Sequence, residues 1–229
     1  MKNSATFLFY VVWLVLEATT AGAQSSLEQL RLELGKSQII ANELQAIEKI
    51  ENTTLDRALH DALLMRDFDE ARRLIDKGIK VNSGDEFGAT PLHRTVSQEA
   101  PDDLLRLLLE RGAEVDAVDN GGRTALHRAA LTNNTGHIPI LLAAGATLDA
   151  SDNEAETPLM SACERGHLAV AQLLFEAGAN INAVSRSGVT PLHYAVASGG
   201  WRKDGDRTHV ELVQWLMANG ADPQAAYRG

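Results

Sequence analysis

Residues Glu156 to Asn182 read E-T-P-L-M-S-A-C-E-R-G-H-L-A-V-A-Q-L-L-F-E-A-G-A-N-I-N. The spacing predicts two short antiparallel helices. Thr157 stands where an N-cap belongs, and Pro158 takes the first helical position, where its missing N–H costs nothing. Gly166-His167 break the first run. Val170, Ala171, Leu173, Leu174 and Phe175 then recur at helical spacing, and Gly178 ends them as a C′ residue does. A pair this small cannot bury its own apolar face, so it requires neighbours of the same kind.

The chain supplies them. Thr90-Pro91-Leu92-His93, Thr124-Ala125-Leu126-His127, Thr157-Pro158-Leu159-Met160 and Thr190-Pro191-Leu192-His193 start at intervals of 34, 33 and 33 residues. Each is followed by a Leu-rich run and a Gly-Ala pair, at Gly112, Gly145, Gly178 and Gly220. A fifth, weaker copy precedes them, carrying Leu59-His60, Ala62, Leu74-Ile75 and Gly78. A period of about 33 with T-P-L-H-x-A resembles the ankyrin-repeat family, over roughly Thr54 to Gln224. The fold expected is therefore all-α. It is a solenoid of about five helix-turn-helix units with short β-hairpin tips, at 54–84, 85–118, 119–151, 152–184 and 185–224. The whole repeat domain runs over 54–229.

Ahead of the repeats, 1–23 reads as a signal peptide. Lys2 gives a positive start, Phe7 to Leu16 an apolar core, and Ala21-Gly22-Ala23 a small-x-small cleavage site before Gln24. The apolar run is about half of the roughly 20 residues a bilayer span needs, so a cleaved signal fits better than a permanent anchor. Residues 24–53 place Leu27, Leu30, Leu34, Ile40, Leu44 and Ile47 at threes and fours, an amphipathic segment. It either lids the apolar end of the array or binds a partner.

The repeats depart from regularity in places. Pro139 falls inside what should be the second helix of the third unit, so that helix is expected to begin late, near Gly136 to Pro139. Ala155 stands where a Gly is usual and Ser185 where an Asp is usual, which predicts less regular turns there. The last unit carries an insertion at 200–208, G-W-R-K-D-G-D-R-T. Trp201 beside Arg202 suits an interaction hot spot, or else the loop folds back so that Trp201 packs on Trp215 or Tyr227.

Composition limits the functions available. Lys2 and Glu17 leave with the signal, so the mature charge stays at 20 minus 30, or −10. Acidity of that size repels phosphate backbones and anionic lipid, which argues against nucleic acid and against membrane insertion after signal cleavage. The single cysteine, Cys163, permits no internal disulfide and faces the helix seam as a small hydrophobe. Six of the seven histidines sit in repeat slots, where the resemblance implies structural roles; His137 alone departs. No catalytic or metal motif is present, so no enzyme, metal or cofactor is expected. The competing reading is a haem or metal carrier using His137, His209 and the 200–208 loop.

What the resemblance implies is a protein-binding surface on the hairpin tips and inner helices. The slots carried over give Glu86, Phe87, Arg123, Glu154, Glu156, Glu164, Arg165 and Arg186, joined by Trp201 and Arg202 of the insertion. Glu154, Glu156 and Glu164 make the middle of the groove acidic, and Phe87 is the least expected residue at a tip. The chain is expected to be a monomeric scaffold exported to a bacterial periplasm, with secretion as the second compartment. Its partner is another protein. An immunity protein against a toxic effector and an accessory factor for an oxidative-stress enzyme such as catalase remain open. Cleavage after Ala23 predicts that protein recovered from an exporting host has an intact mass matching Gln24 to Gly229; retention of residues 1–23 would show an anchor instead.

Overall fold

The computed structural model describes residues 56–200 and 207–225. The signal segment, the amphipathic segment 24–53, and Trp201 and Arg202 lie outside the described residues. The helices come in pairs. Residues 56–64 form α1, followed by α2 (Phe68–Asp76), α3 (Pro91–Ser97), α4 (Asp102–Glu110), α5 (Ala125–Leu131) and α6 (His137–Ala143). Then come α7 (Pro158–Arg165), α8 (Leu168–Glu176), α9 (Pro191–Gly200) and α10 (Arg207–Ala218). Odd-numbered helices from α3 stack on one another in sequence, and even-numbered helices do the same behind them. No described helix is long and apolar enough to cross a membrane.

The first helix of each unit starts on the T-P-L-H motif. Thr90, Thr124 and Thr157 are extended N-caps closed by capping boxes, with proline in the first turn of α3 and α7. The apolar positions behind those caps are sealed in one continuous core. Leu59, Leu92, Leu126 and Leu159 repeat the same slot, and Leu74, Leu108, Leu141, Leu174 and Leu216 repeat the slot on the second helices. Burying each such leucine is worth about 1.5–3 kcal/mol, and neighbouring units share the benefit. As Pro139 predicts, α6 begins at His137 with Gly136 as its cap. The proline sits within the first turn, where its missing N–H has no intrahelical partner to lose.

The expected β-hairpins are not there: no described residue is in a strand. The tips of the second, third and fourth units are tight turns around one acidic side chain, and Ser185 takes that place in the fifth. Asp119 donates its N–H to the Arg123 carbonyl (3.0 Å) and accepts from Gly122 N–H through its own carbonyl (2.8 Å). Its carboxylate Oδ1 takes the N–H groups of Gly121 (2.8 Å) and Arg123 (3.0 Å). One backbone bond then joins each tip to the next, as from Asn120 N–H to the Phe87 carbonyl (2.9 Å). A single bond per joint is too little for a ladder. The turns at Ala155 and Ser185 are regular after all, with the same two backbone bonds, at 3.0 and 2.9 Å and at 2.9 and 2.9 Å.

The tips also explain why Ala155 is tolerated. Gly88 and Gly122 have positive φ, and a Cβ there would lie 2.5 Å from Asn120 Oδ1 and 2.6 Å from Asn153 Oδ1. Those amides are bridges: Asn120 Nδ2 donates to the Glu86 carbonyl and Asn153 Nδ2 to the Asn120 carbonyl. Above Ala155, which also has positive φ, the bridging slot holds Arg186, whose backbone bond to the Glu154 carbonyl (2.8 Å) is kept. The part of the steric demand for glycine that the amide makes has gone with the asparagine; at Gly88 and Gly122 a Cβ would also meet the backbone nitrogens of Asn120 (2.9 Å) and Asn153 (2.7 Å). Gly88→Ala should therefore cost about 2 kcal/mol or more, left-handed strain plus the clash. Ala155→Gly should change stability by only about 0.5 kcal/mol, towards stabilisation, because relieved strain slightly exceeds the added unfolded-state freedom. Urea titration of both variants checks the contrast.

Candidate functional site

The imidazoles of the T-P-L-H caps come first, because they fix the surface above them. His93 Nδ1 accepts from the Thr90 N–H (3.2 Å) and hydroxyl (2.9 Å), leaving Nε2–H to donate to the Arg123 carbonyl of the next unit (2.8 Å). His127 repeats this with Thr124 and with the Glu156 carbonyl (3.0 Å). His137, the one histidine outside the repeat slots, is bonded at both ends too. Its Nδ1 accepts from Asn134 Nδ2 (2.8 Å) and its Nε2–H donates to the Ala100 carbonyl (2.9 Å). It is a buried brace between the second and third units, with both ring nitrogens committed. His209 is buried as well and stacks on Gly166, far from any cluster: no group of three metal-ligating side chains occurs among the described residues. Burial drives the Cys163 thiol well above its ordinary pKa, as expected of a packed rather than reactive cysteine.

The expected acidic centre of the groove is largely neutralised. Glu156 is half-buried; its carboxylate accepts from the Tyr194 hydroxyl and lies 3.8 Å from Arg123. Arg123 also pairs with Asp152 (3.2 Å), so it ties the third unit to the fourth. Glu154 is exposed but stands 3.9 Å from exposed Arg186. Burial and the bond to Glu156 push the Tyr194 hydroxyl above its ordinary pKa, keeping it a donor. Glu164 is half-buried and Arg165 exposed at the end of α7, while Glu86 is exposed at its tip.

Phe87 differs from all of these. It is 59% exposed yet held. Its N–H donates to Asp85 Oδ1 (2.8 Å), its carbonyl accepts from Asn120, and the Arg94 guanidinium lies 5.9 Å from its ring centroid. Arg94 is fixed in turn by ion pairing to Asp85, with Nε 2.8 Å from Oδ2. The site thus presents one rigid aromatic ring beside a neutral polar inner face.

Two exposed apolar residues escaped the sequence reading. Leu64 and Met65, the latter 83% exposed, close the first unit in the slots of Ser97 and Gln98. Aligning Leu59-His60 on Leu92-His93 puts them there; the first unit's weak motif hid that alignment. They extend the inner face one unit towards the N-terminus with a greasy end.

A family model for ankyrin repeats in three copies matches residues 59–152 and again 134–226. No curated protein matches this sequence.

The buried polar groups predict the pH behaviour of the fold. Burial lowers the pKa of His93, His127 and His137 below their ordinary 6.5, against the opposing pull of their backbone acceptors. Below about pH 6.5 the unfolded chain takes up protons that the folded imidazoles refuse, so stability must fall as the pH drops through that value. For Asp85 and Asp119 burial acts upward but is outweighed by the surrounding N–H donors and by Arg94 and Arg128, which leaves them below 3.8. Their contribution is present above that value and is lost beneath it. Urea midpoints should be level from about pH 7 to 8, decline from about 6.5 to 5, and drop again below about 4. His127→Ala should lower the unfolding free energy by about 1–3 kcal/mol at pH 7.5, since the inter-unit bond to the Glu156 carbonyl is lost and only the Asp152 N–H remains on it, and should flatten the decline towards pH 5.

Proposed function

The chain belongs to the ankyrin-repeat family, and we propose that it is a non-enzymatic scaffold whose activity is to hold a partner protein on its tips and inner helices. Ankyrin repeats make protein–protein interaction modules, and the observation carrying the reading here is Phe87. At 59% exposure the ring gives the fold little burial beyond its contact with Arg94. Fixed by Asp85, Asn120 and Arg94, it loses little conformational freedom when a partner covers it, which is the physics of a hot spot. Glu86, Arg123, Glu154, Glu164, Arg165 and Arg186 form the polar rim around and beyond it. Glu156 supports that rim from beneath rather than presenting its charge outward.

The compartment proposed is an exported one, a bacterial periplasm before secretion, on the strength of the N-terminal segment and the lone buried Cys163. A protein without disulfides tolerates either redox environment. Action as a monomer agrees with a site contained in one chain. The carrier reading loses a ligand in His137, whose nitrogens already hold Asn134 and Ala100.

Affinity capture tests the proposal with three chains: wild type, Phe87→Ala, and Glu176→Lys, an exposed position at the end of α8 away from the tips. The partner should be retained by wild type and Glu176→Lys and bound at least about 10-fold more weakly by Phe87→Ala, the loss of a hot-spot side chain. The melting temperatures of the variants should stay within about 2 °C of wild type. Equal retention by Phe87→Ala would remove the tip from the binding site.

A further inference from the structure

We propose that the fifth unit (α9 and α10) opens as one body at its joint with the fourth while the preceding units stay folded. Three side-chain bridges recur at the second–third and third–fourth joints, and this joint lacks all three. First, the imidazole that ties each cap to the next unit's carbonyl is replaced by Met160. Its sulfur reaches only back to the Thr157 N–H (3.5 Å), so the Val189 carbonyl has no counterpart of the bonds received by Arg123 and Glu156. Second, the bridging amides of Asn120 and Asn153 are succeeded by Arg186, which keeps the backbone N–H bond and replaces the amide bridge with an exposed ion pair to Glu154 at 3.9 Å. Third, His137 and His167 at the starts of α6 and α8 donate across their joints to the Ala100 and Leu131 carbonyls. Their successor at α10, His209, is buried with neither ring nitrogen bonded.

What remains is mostly apolar. Phe175 meets Trp215 edge-on, centroids 5.4 Å apart at 89°. Among the described residues the polar ties left are the Tyr194–Glu156 bond, the backbone bond and exposed ion pair of Arg186 with Glu154, and the amide of Asn182, which donates to the Gly220 carbonyl (3.0 Å) and accepts from Asp222 N–H (2.9 Å). Apolar contact resists separation without fixing register, and each missing buried bond removes a directional constraint while leaving a desolvated group behind. In a linear array, where each unit touches only its neighbours, the end beyond the weakest joint is released first.

Cys163 reports the opening. It is 0% exposed and lies on α7 against the fifth unit, whereas Val196, the same slot one unit on, is 56% exposed. The full mature chain is incubated with a small thiol reagent in native buffer while deuterium uptake is followed in parallel. Wild type should label at Cys163 at least 10-fold faster than global unfolding allows, and 191–196 and 209–218 should exchange together ahead of 125–131. The triple variant Ala155→Gly/Met160→His/Arg186→Asn restores the imidazole and the amide bridge with the glycine that the amide requires; labelling should slow at least 10-fold. Asn182→Ala, which cuts a remaining tie, should speed it, so the inference is tested even where the triple variant does not fold. Labelling at the global unfolding rate, with even protection from the third to the fifth unit, would overturn it. So would labelling unchanged in both variants.

Discussion

The imidazoles of His93 and His127, fourth in their caps, are bonded at both ends, and the register of the array between the second and fourth units depends on them. One nitrogen accepts from the threonine that starts its own helix; the other donates to the backbone just before the next cap. The tautomer is dictated by the partners, since a carbonyl can only accept. A purely apolar seam of leucines and alanines would let one helix pair slide on the next with little penalty. The buried imidazole forbids that, because a displaced unit leaves a desolvated N–H and a desolvated carbonyl unpaired. Hydrophobic burial thus supplies most of the stabilisation, and a few polar bonds choose the geometry.

The same division governs the acidic residues. A charge of −10 invites the picture of a negative surface, yet much of the acidity at the tips is consumed internally. Asp85, Asp119 and Asp152 each close a turn by accepting two backbone N–H groups, and each is balanced by an arginine, Arg94, Arg128 or Arg123. Glu156 joins that inner network through Tyr194 and Arg123. The formal charge is set by composition, but the field a partner meets is set by which carboxylates are already answered.

The repeat period, the capping threonines and the delayed start of α6 at Pro139 were legible in the sequence because each follows from local rules: helical spacing, N-cap chemistry, and the missing N–H of proline. Phe87 was legible as an exposed ring for the same reason, since its slot in a regular repeat is known once the frame is known. The bridges were not. Tyr194 and Glu156 are 38 residues apart, and His137 reaches back 37 residues to Ala100. Such partners meet only through stacking, which a linear reading does not contain. The tips were read as hairpins although one inter-unit bond each cannot sustain a strand ladder. Leu64 and Met65 were passed over because the first unit keeps its core leucines while losing the threonine and proline that mark the frame.

Departures from the repeat are therefore more informative than the repeat itself. Where Asn gives way to Arg186, the glycine beneath it gives way to Ala155; where the imidazole gives way to Met160, the next carbonyl lacks the second, inter-unit donor and keeps only its own turn's N–H. These changes fall together at one joint and leave the leucine seam intact. A substitution that spares the core but removes directional bonds costs little burial and much specificity, so it loosens a unit without unfolding the chain. Phe87, by contrast, sits two joints away on a turn with every bond present. Phe87 thus stands on a tip whose joint to the next unit keeps all three bridges, while the joint before the fifth unit has lost them together.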